Sequence, residues 1–210
     1  YSGTSTNSLS IVTSSSQHGN LYQCKILDSN AGEALSTIAS LSVNEVSGLN
    51  VLITPSVTEA CEDNTTINFT ATLGSSITNP QYDWEINGVA ISNNSSTLTH
   101  SNFNLGNNTI SCNVSSELDC FRGESQVSLV VNSLPQEFIV AGNGAYCDGG
   151  VGGEILLSQS EVNVSYELVF DGSSTGIYEL GTGNMLTFPL QNVIGLYTVI
   201  ATNNNTGCNS

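Results

Sequence analysis

Positive charge is almost missing from this chain. Lys25 and Arg122 are its only basic residues, against 18 Asp and Glu, for a net charge of −16. Two cations cannot neutralise a row of phosphates, so nucleic-acid binding is excluded as a working function. The same deficit removes electrostatic docking on anionic lipid. Long apolar runs are missing as well. No segment approaches the ~18–20 residues of a membrane-spanning helix, so direct membrane insertion is not expected. Histidine is limited to His18 and His100; both read as solvated, and neither falls in a catalytic phrase. No G-x-S-x-G elbow and no His-Glu-x-x-His occurs. The Gly-rich run from Gly149 to Glu154 is followed by neither a helix nor a lysine, so it is no phosphate cradle. These absences argue against an enzyme. Six cysteines without any C-x-x-C pair favour disulfides in an oxidising compartment over zinc. No signal peptide opens the chain, and its first residues read as the middle of a domain; the expectation is a piece of something longer.

What is present is Ser, Thr, Asn and Gly, interrupted by short alternating runs of Val, Ile, Leu and Thr. Such alternation marks half-buried strands and not a disordered segment. The pattern also repeats. "HGNLYQCKI" (His18 to Ile26) aligns with "LGNNTISCNV" (Leu105 to Val114) and with "IGLYTVIAT" (Ile194 to Thr202). Placing Cys24 on Cys112 gives a shift of 88, and Cys112 on Val199 gives 87. A period near 86 residues is too long for a solenoid repeat and suits a small β-sandwich. The chain then divides at residues 1–48 (the C-terminal half of a domain), 49–134 and 135–210.

Each copy has an equivalent core strand. "YDWEING" (Tyr82 to Gly88) puts Tyr82, Trp84 and Ile86 on one face, with Asp83 and Glu85 on the other. "YELVFDG" (Tyr166 to Gly172) is its echo, with Leu168 in place of Trp84. Asn87-Gly88 and Asp171-Gly172 are tight-turn dipeptides, since positive φ costs glycine nothing and asparagine little. The expected fold is all-β: tandem immunoglobulin-like β-sandwiches with core positions at Tyr22, Tyr82, Trp84, Tyr166 and Tyr197.

Two longer stretches carry a family resemblance. "AYCDGGVGGEILLSQSEVNVSYELVFDG" followed by "GTGNMLTFPLQNVIGLYTVIATNNNTGC" resembles the Ig-like and PKD-like repeats of large secreted Bacteroidetes proteins. Residues 49–134, with "ACEDNTTINFTAT" and "YDWEINGVAI", resemble the companion module. This group includes gliding-motility adhesins and other substrates of type 9 secretion. The resemblance implies a secreted, bacterial cell-surface location and a role as stalk, spacer or binder. Its partners would be further repeats of the same chain and a surface ligand, such as a polysaccharide or another cell-surface component. The alternative is accessory spacer or carbohydrate-binding modules of a secreted multidomain enzyme, with Tyr146, Tyr178 or Phe121 as stacking aromatics.

The cysteines and acids supply the remaining site expectations. Cys147 and Cys208 bracket the last domain and Cys61 and Cys120 the middle one, at nearly equal spacing, which suggests an equivalent bond in each. Cys61 with Cys112 is the alternative, because bracketing positions sit near opposite ends of a simple sandwich. Cys24 holds a late-strand position whose partner would lie outside the chain. No cofactor is expected. Hard oxygen ligands at Asp28, Glu62, Asp63 and Asp148 make calcium the one metal to consider, though none matches an EF-hand loop.

Overall fold

The computed structural model describes residues 4–29, 32–63, 65–116, 120–142, 146–147 and 149–210. The chain is nearly all β, with one 3-10 turn (Ser15–Gln17) and no α-helix among the described residues. At the N-terminus β1 (Leu21–Tyr22) pairs with β4 (Ala39–Ser40), and β2 (Lys25–Leu27) with β3 (Glu33–Leu35). These strands lie open to solvent: Leu21, Ile26, Leu27 and Leu35 are all exposed. No described residue before Leu49 joins a buried core. The Lys25–Glu33 ion pair is half exposed at each end and adds little to stability.

The middle unit holds β5 (Ser47–Gly48), β6 (Val51–Pro55), β7 (Glu59–Cys61), β8 (Ile67–Leu73), β9 (Gln81–Ile86), β10 (Val89–Ile91), β11 (Thr97–His100), β12 (Gly106–Ser116) and β13 (Phe121–Asn132). One sheet runs β10-β9-β12-β13-β5, with β7 also on β13; the other runs β11-β8-β6. Strict alternation in β8 turns Ile67, Phe69 and Ala71 inward. They meet Trp84, Ile110, Val114 and Leu129 of the other sheet in one core, an arrangement consistent with a β-sandwich. Burying each large apolar side chain contributes about 1.5–3 kcal/mol. The chain changes sheets over a few residues. β6 pairs antiparallel with β8, and β7 then pairs parallel with the far end of β13, placing Cys61 opposite Asn132.

The last unit comprises β14 (Val140–Gly142), β15 (Gly153–Leu157), β16 (Val164–Phe170), β17 (Ser173–Leu180), β18 (Leu186–Gln191) and β19 (Tyr197–Asn203). Its sheets are β14-β15-β18 and β17-β16-β19. Ile155, Leu157, Tyr166, Leu168 and Phe188 form a second core, separate from the first. The tight turns fall where the dipeptides placed them. Asn87 (φ 52) and Gly88 (φ 75) close the β9–β10 hairpin, and Asp171 (φ 45) and Gly172 (φ 78) close β16–β17. Two successive positive-φ residues match the right-handed twist of the flanking strands.

The two cores exchange their large aromatic. Trp84 lies opposite Cys112 and Tyr82 opposite Val114; Leu168 lies opposite Val199 and Tyr166 opposite Ala201. Alanine leaves room for a ring where valine does not, so Tyr166 is fully buried while Tyr82 is only half buried. The backbone beside Tyr166 leaves no room for a side chain at Gly181. A Cβ there would clash with the Glu161 carbonyl and sit 3.0 Å from the Tyr166 ring. Gly181→Ala is therefore expected to destabilise the last unit by about 1–3 kcal/mol or more through overpacking. A thermal melt that fails to move would refute the fit.

The single disulfide among the described residues corrects both expected pairings. It joins Cys61 to Cys208 (Cα–Cα 5.6 Å), across 147 residues, and so links the middle unit to the last. Cys61 does not pair with Cys120 because β7 lies along the end of β13 while Cys120 precedes its start. At ~3.3 Å per residue those two points are roughly 40 Å apart. Cys112 is also out of reach: it faces the core opposite Ser125, roughly 23 Å short of Asn132 along the same strand. Cys147 does not take up Cys208, which is already bonded.

Candidate functional site

A cavity of about 330 Å³ opens in the last unit. Edge strand β14 supplies Val140 and Gly142; Tyr146, and Glu154 from β15, join them. Gln191 from the end of β18 and Tyr197 from the start of β19 complete the opposite wall. A second cavity of about 230 Å³ continues from it, lined by Phe138, Leu157, Tyr166, Val199 and Ala201. Val140 and Tyr197 line both, so the two form one groove between the β14 and β19 edges.

Tyr197 sits at the centre of the groove. Its hydroxyl donates to the Val193 carbonyl at 3.1 Å, and its ring lies 5.0 Å from that of Phe170. Partial burial, then the nearby Tyr146 and Asp171 charges, push its pKa above the usual phenol value. The hydroxyl therefore stays protonated at neutral pH, its one hydrogen on the Val193 carbonyl and its oxygen left to accept. An amide, a carboxylate and two phenols around a half-apolar cleft suit a hydroxylated ligand chemically.

The expected site residues distribute unevenly. Of the three stacking aromatics, Tyr146 lines the cavity, Tyr178 is exposed on β17, and Phe121 is half buried at the start of β13. Tyr197, expected as core, packs against the second core but opens onto the groove. Tyr22 is half buried and belongs to neither core. Trp84 is buried, its Nε1–H donating to the Ser95 carbonyl at 2.9 Å. Tyr166 accepts the Glu161 N–H at 2.8 Å through its hydroxyl oxygen. Glu154 and Gln191 were not marked in the sequence, where each is one more polar residue beside a strand.

Asp28 follows β2, while Glu62 and Asp63 follow β7. The Asp28 N–H is bonded to the Gly32 carbonyl, and Glu62 is exposed. Asp63 accepts from the Thr65 hydroxyl and N–H, which hold its carboxyl below the usual value. Asp148 lies outside the described residues. Among the described residues no group of three or more His, Cys, Asp or Glu converges to hold a metal ion. His18 is exposed, with Nδ1 against the Val43 backbone; His100 is not solvated as expected but half buried, edge-on to Phe103.

The thiols differ in exposure. Burial, reinforced by the Asp83 charge, pushes Cys112 up to about 12. Cys24 and Cys147 are exposed thiols. Maleimide at pH 8 should therefore label Cys24 and Cys147 in the native protein, and Cys112 only after unfolding, as read by peptide mass mapping. The raised value has a stability consequence. Between the unfolded thiol's pKa near 9 and the folded value near 12, only the unfolded chain ionises, so stability falls as pH rises through that window.

No protein-family model matches the chain, and no curated protein matches it.

Proposed function

We propose that this chain is a repeat segment of a cell-surface adhesin, acting as stalk and as multivalent binding modules. In this reading the middle and last units are immunoglobulin-like sandwiches in tandem, and residues 1–48 are the later half of another. The β6-to-β7 switch between sheets supports the immunoglobulin-like assignment, as does the order β9-β12-β13 in the larger sheet. The observation that carries the function is the Cys61–Cys208 bond. A covalent tie between two units with separate cores restrains their relative motion, which serves a projecting stalk more than a freely diffusing catalyst. Disulfides persist in oxidising compartments, in keeping with secretion to a bacterial surface of the Bacteroidetes type. Repetition would then raise avidity through effective concentration. The test is retention of beads coated with the 210-residue chain on bacterial cells and on immobilised surface polysaccharides. Retention should climb more steeply than coating density; beads that wash off at every density would end the proposal.

A second reading has its own observation. Tyr146 and Tyr197 flank Glu154 and Gln191 in one cleft, a composition suited to a saccharide-binding module of a secreted enzyme. A glycan array with the wild type and Tyr146→Ala separates the two: loss of a defined glycan signal in the variant supports this reading, and an empty array removes it.

A further inference from the structure

The Cys61–Cys208 bond joins two ends that differ in kind. In the middle unit Cys61 closes β7 opposite Asn132, the last residue of β13, so it stands where the chain leaves the unit. The β12–β13 turn stands at the other end. There the Cys120 carbonyl accepts the Ser47 N–H at 2.8 Å, beside the segment that enters the unit. In the last unit the corresponding turn follows β19 and leads into Cys208. Thr202 lies opposite Asn209 as Ser115 lies opposite Arg122, 87 residues earlier. The bond therefore ties the exit end of one unit to the entry end of the next.

Cys147 is the counterpart of Cys61 in the last unit. Cys61 lies six residues before Ile67, the first of β8, and Cys147 six before Gly153, the first of β15. Phe69 and Ala71 are buried on β8, and Ile155 and Leu157, each 86 residues on, are buried on β15. The pairing agrees: Ile53 lies opposite Ala71, and Val140 opposite Leu157. Gly153 lies opposite Gln191, so the β18–β19 turn shares the exit end with Cys147. That end exposes Val151 (83%) and Ile194 (92%) beside the exposed thiol. Large apolar side chains at full exposure suit an end that packs on another unit. An exposed cysteine says little by itself, but one whose repeat equivalent is bonded across a junction has a partner of a stated kind.

We propose that Cys147 anchors a second inter-unit disulfide, made to the turn after the β19-type strand of a following unit of the same kind. The inference rests on the repeat-array reading above. By the spacing of Cys61 and Cys208, the partner cysteine stands about 147 residues beyond Cys147. Each thiol loses a proton and one electron as the S–S bond forms. The electrons reduce a disulfide oxidant of the oxidising compartment, of the dithiol oxidoreductase class, to two thiols. Cys147 lies inside the loop that Cys61 and Cys208 close, so successive loops overlap. A unit that unfolds under tension then releases no length to the array, because the covalent path bypasses the chain between each bonded pair. Such a lock suits a stalk loaded along its axis.

The test uses the protein in the form that its source cells make. N-ethylmaleimide blocks free thiols before the cells are opened, and pepsin digests at acid pH, where thiolate exchange stops. Mass mapping should find the Cys61–Cys208 peptide pair as internal reference, and the Cys147 peptide bonded to a cysteine peptide from outside these 210 residues. Maleimide on Cys147 should rise at least tenfold when reduction precedes blocking. In Cys147→Ser the outside cysteine should become labelled without reduction. Cys147 labelled without reduction in the natural protein overturns the proposal. So does a bond from Cys147 to Cys24, Cys112 or Cys120, to a small-molecule thiol, or to the Cys147 of a second copy. A natural protein with no unit after Ser210 overturns it as well. Beads retained by a protein whose Cys147 is free would sink the staple and leave adhesion standing. Beads that wash off although Cys147 is bonded as expected would sink adhesion alone.

Discussion

Trp84→Ala is expected to lower the stability of the middle unit by about 3–5 kcal/mol, the range for removing a buried tryptophan from a packed core. Trp84 is 1% exposed, lies between Cys112 on one neighbouring strand and Ile91 on the other, and contacts both sheets' core residues. Its Nε1–H satisfies the Ser95 carbonyl, so truncation also strands an acceptor. A small domain holds roughly 5–15 kcal/mol in all, so the variant should be partly unfolded at temperatures where the wild type is intact. Trp84 is the only tryptophan, so circular dichroism in urea must follow the change and not fluorescence. Trp84→Phe should recover most of the loss, leaving the cost of one hydrogen bond and a smaller cavity. Because the second core contains none of the same residues, the last unit should unfold as before. A loss below about 1 kcal/mol would mean that the ring is not the keystone its burial indicates.

Local chemistry explains what the sequence made readable. Period-2 alternation in Ile67 to Leu73 and Tyr82 to Ile86 specified strands and their inward faces, because a one-residue slip would expose every apolar side chain. Asn87-Gly88 and Asp171-Gly172 specified hairpins, because few other dipeptides tolerate two positive φ values. Features that depend on where distant strands come to lie were not readable. The Cys61–Cys208 bond needs β7 to run beside the end of β13 and the turn after β19 to reach it, and no spacing encodes that meeting. Buried Asn108 is a similar case. It reads as a polar strand residue, yet its amide bonds the Asn104 and Gly106 carbonyls and accepts from Asn87, so burial leaves nothing unpaired. Tyr197 looked like core for the same reason that Tyr166 is core; only the groove beside it separates the two.

Breaking the inter-unit bond should change stability and geometry together. Closing a 147-residue loop restricts the unfolded chain, and the entropy model assigns that restriction about 5 kcal/mol at 25 °C. The full figure applies only when everything between Cys61 and Cys208 unfolds as one. With two separate cores, each unit can also melt while the other stays folded. Cys208→Ser is therefore expected to lower the melting of the units that the bond joins, with the native circular dichroism nearly unchanged. Small-angle scattering of the same variant should show a larger mean radius of gyration, since the linker around residues 133–139 would then be the sole tether. Cys147→Ser is the matched control and should alter neither readout, its thiol being exposed. Cys208 also adjoins Asn209 and Ser210, so its loss could loosen that corner independently of the cross-link. Cys61→Ser separates the two effects, because it removes the bond from the opposite end. Matching results from Cys61→Ser and Cys208→Ser assign the change to the bond; melts and radii identical to wild type in both would mean that packing alone sets the joint.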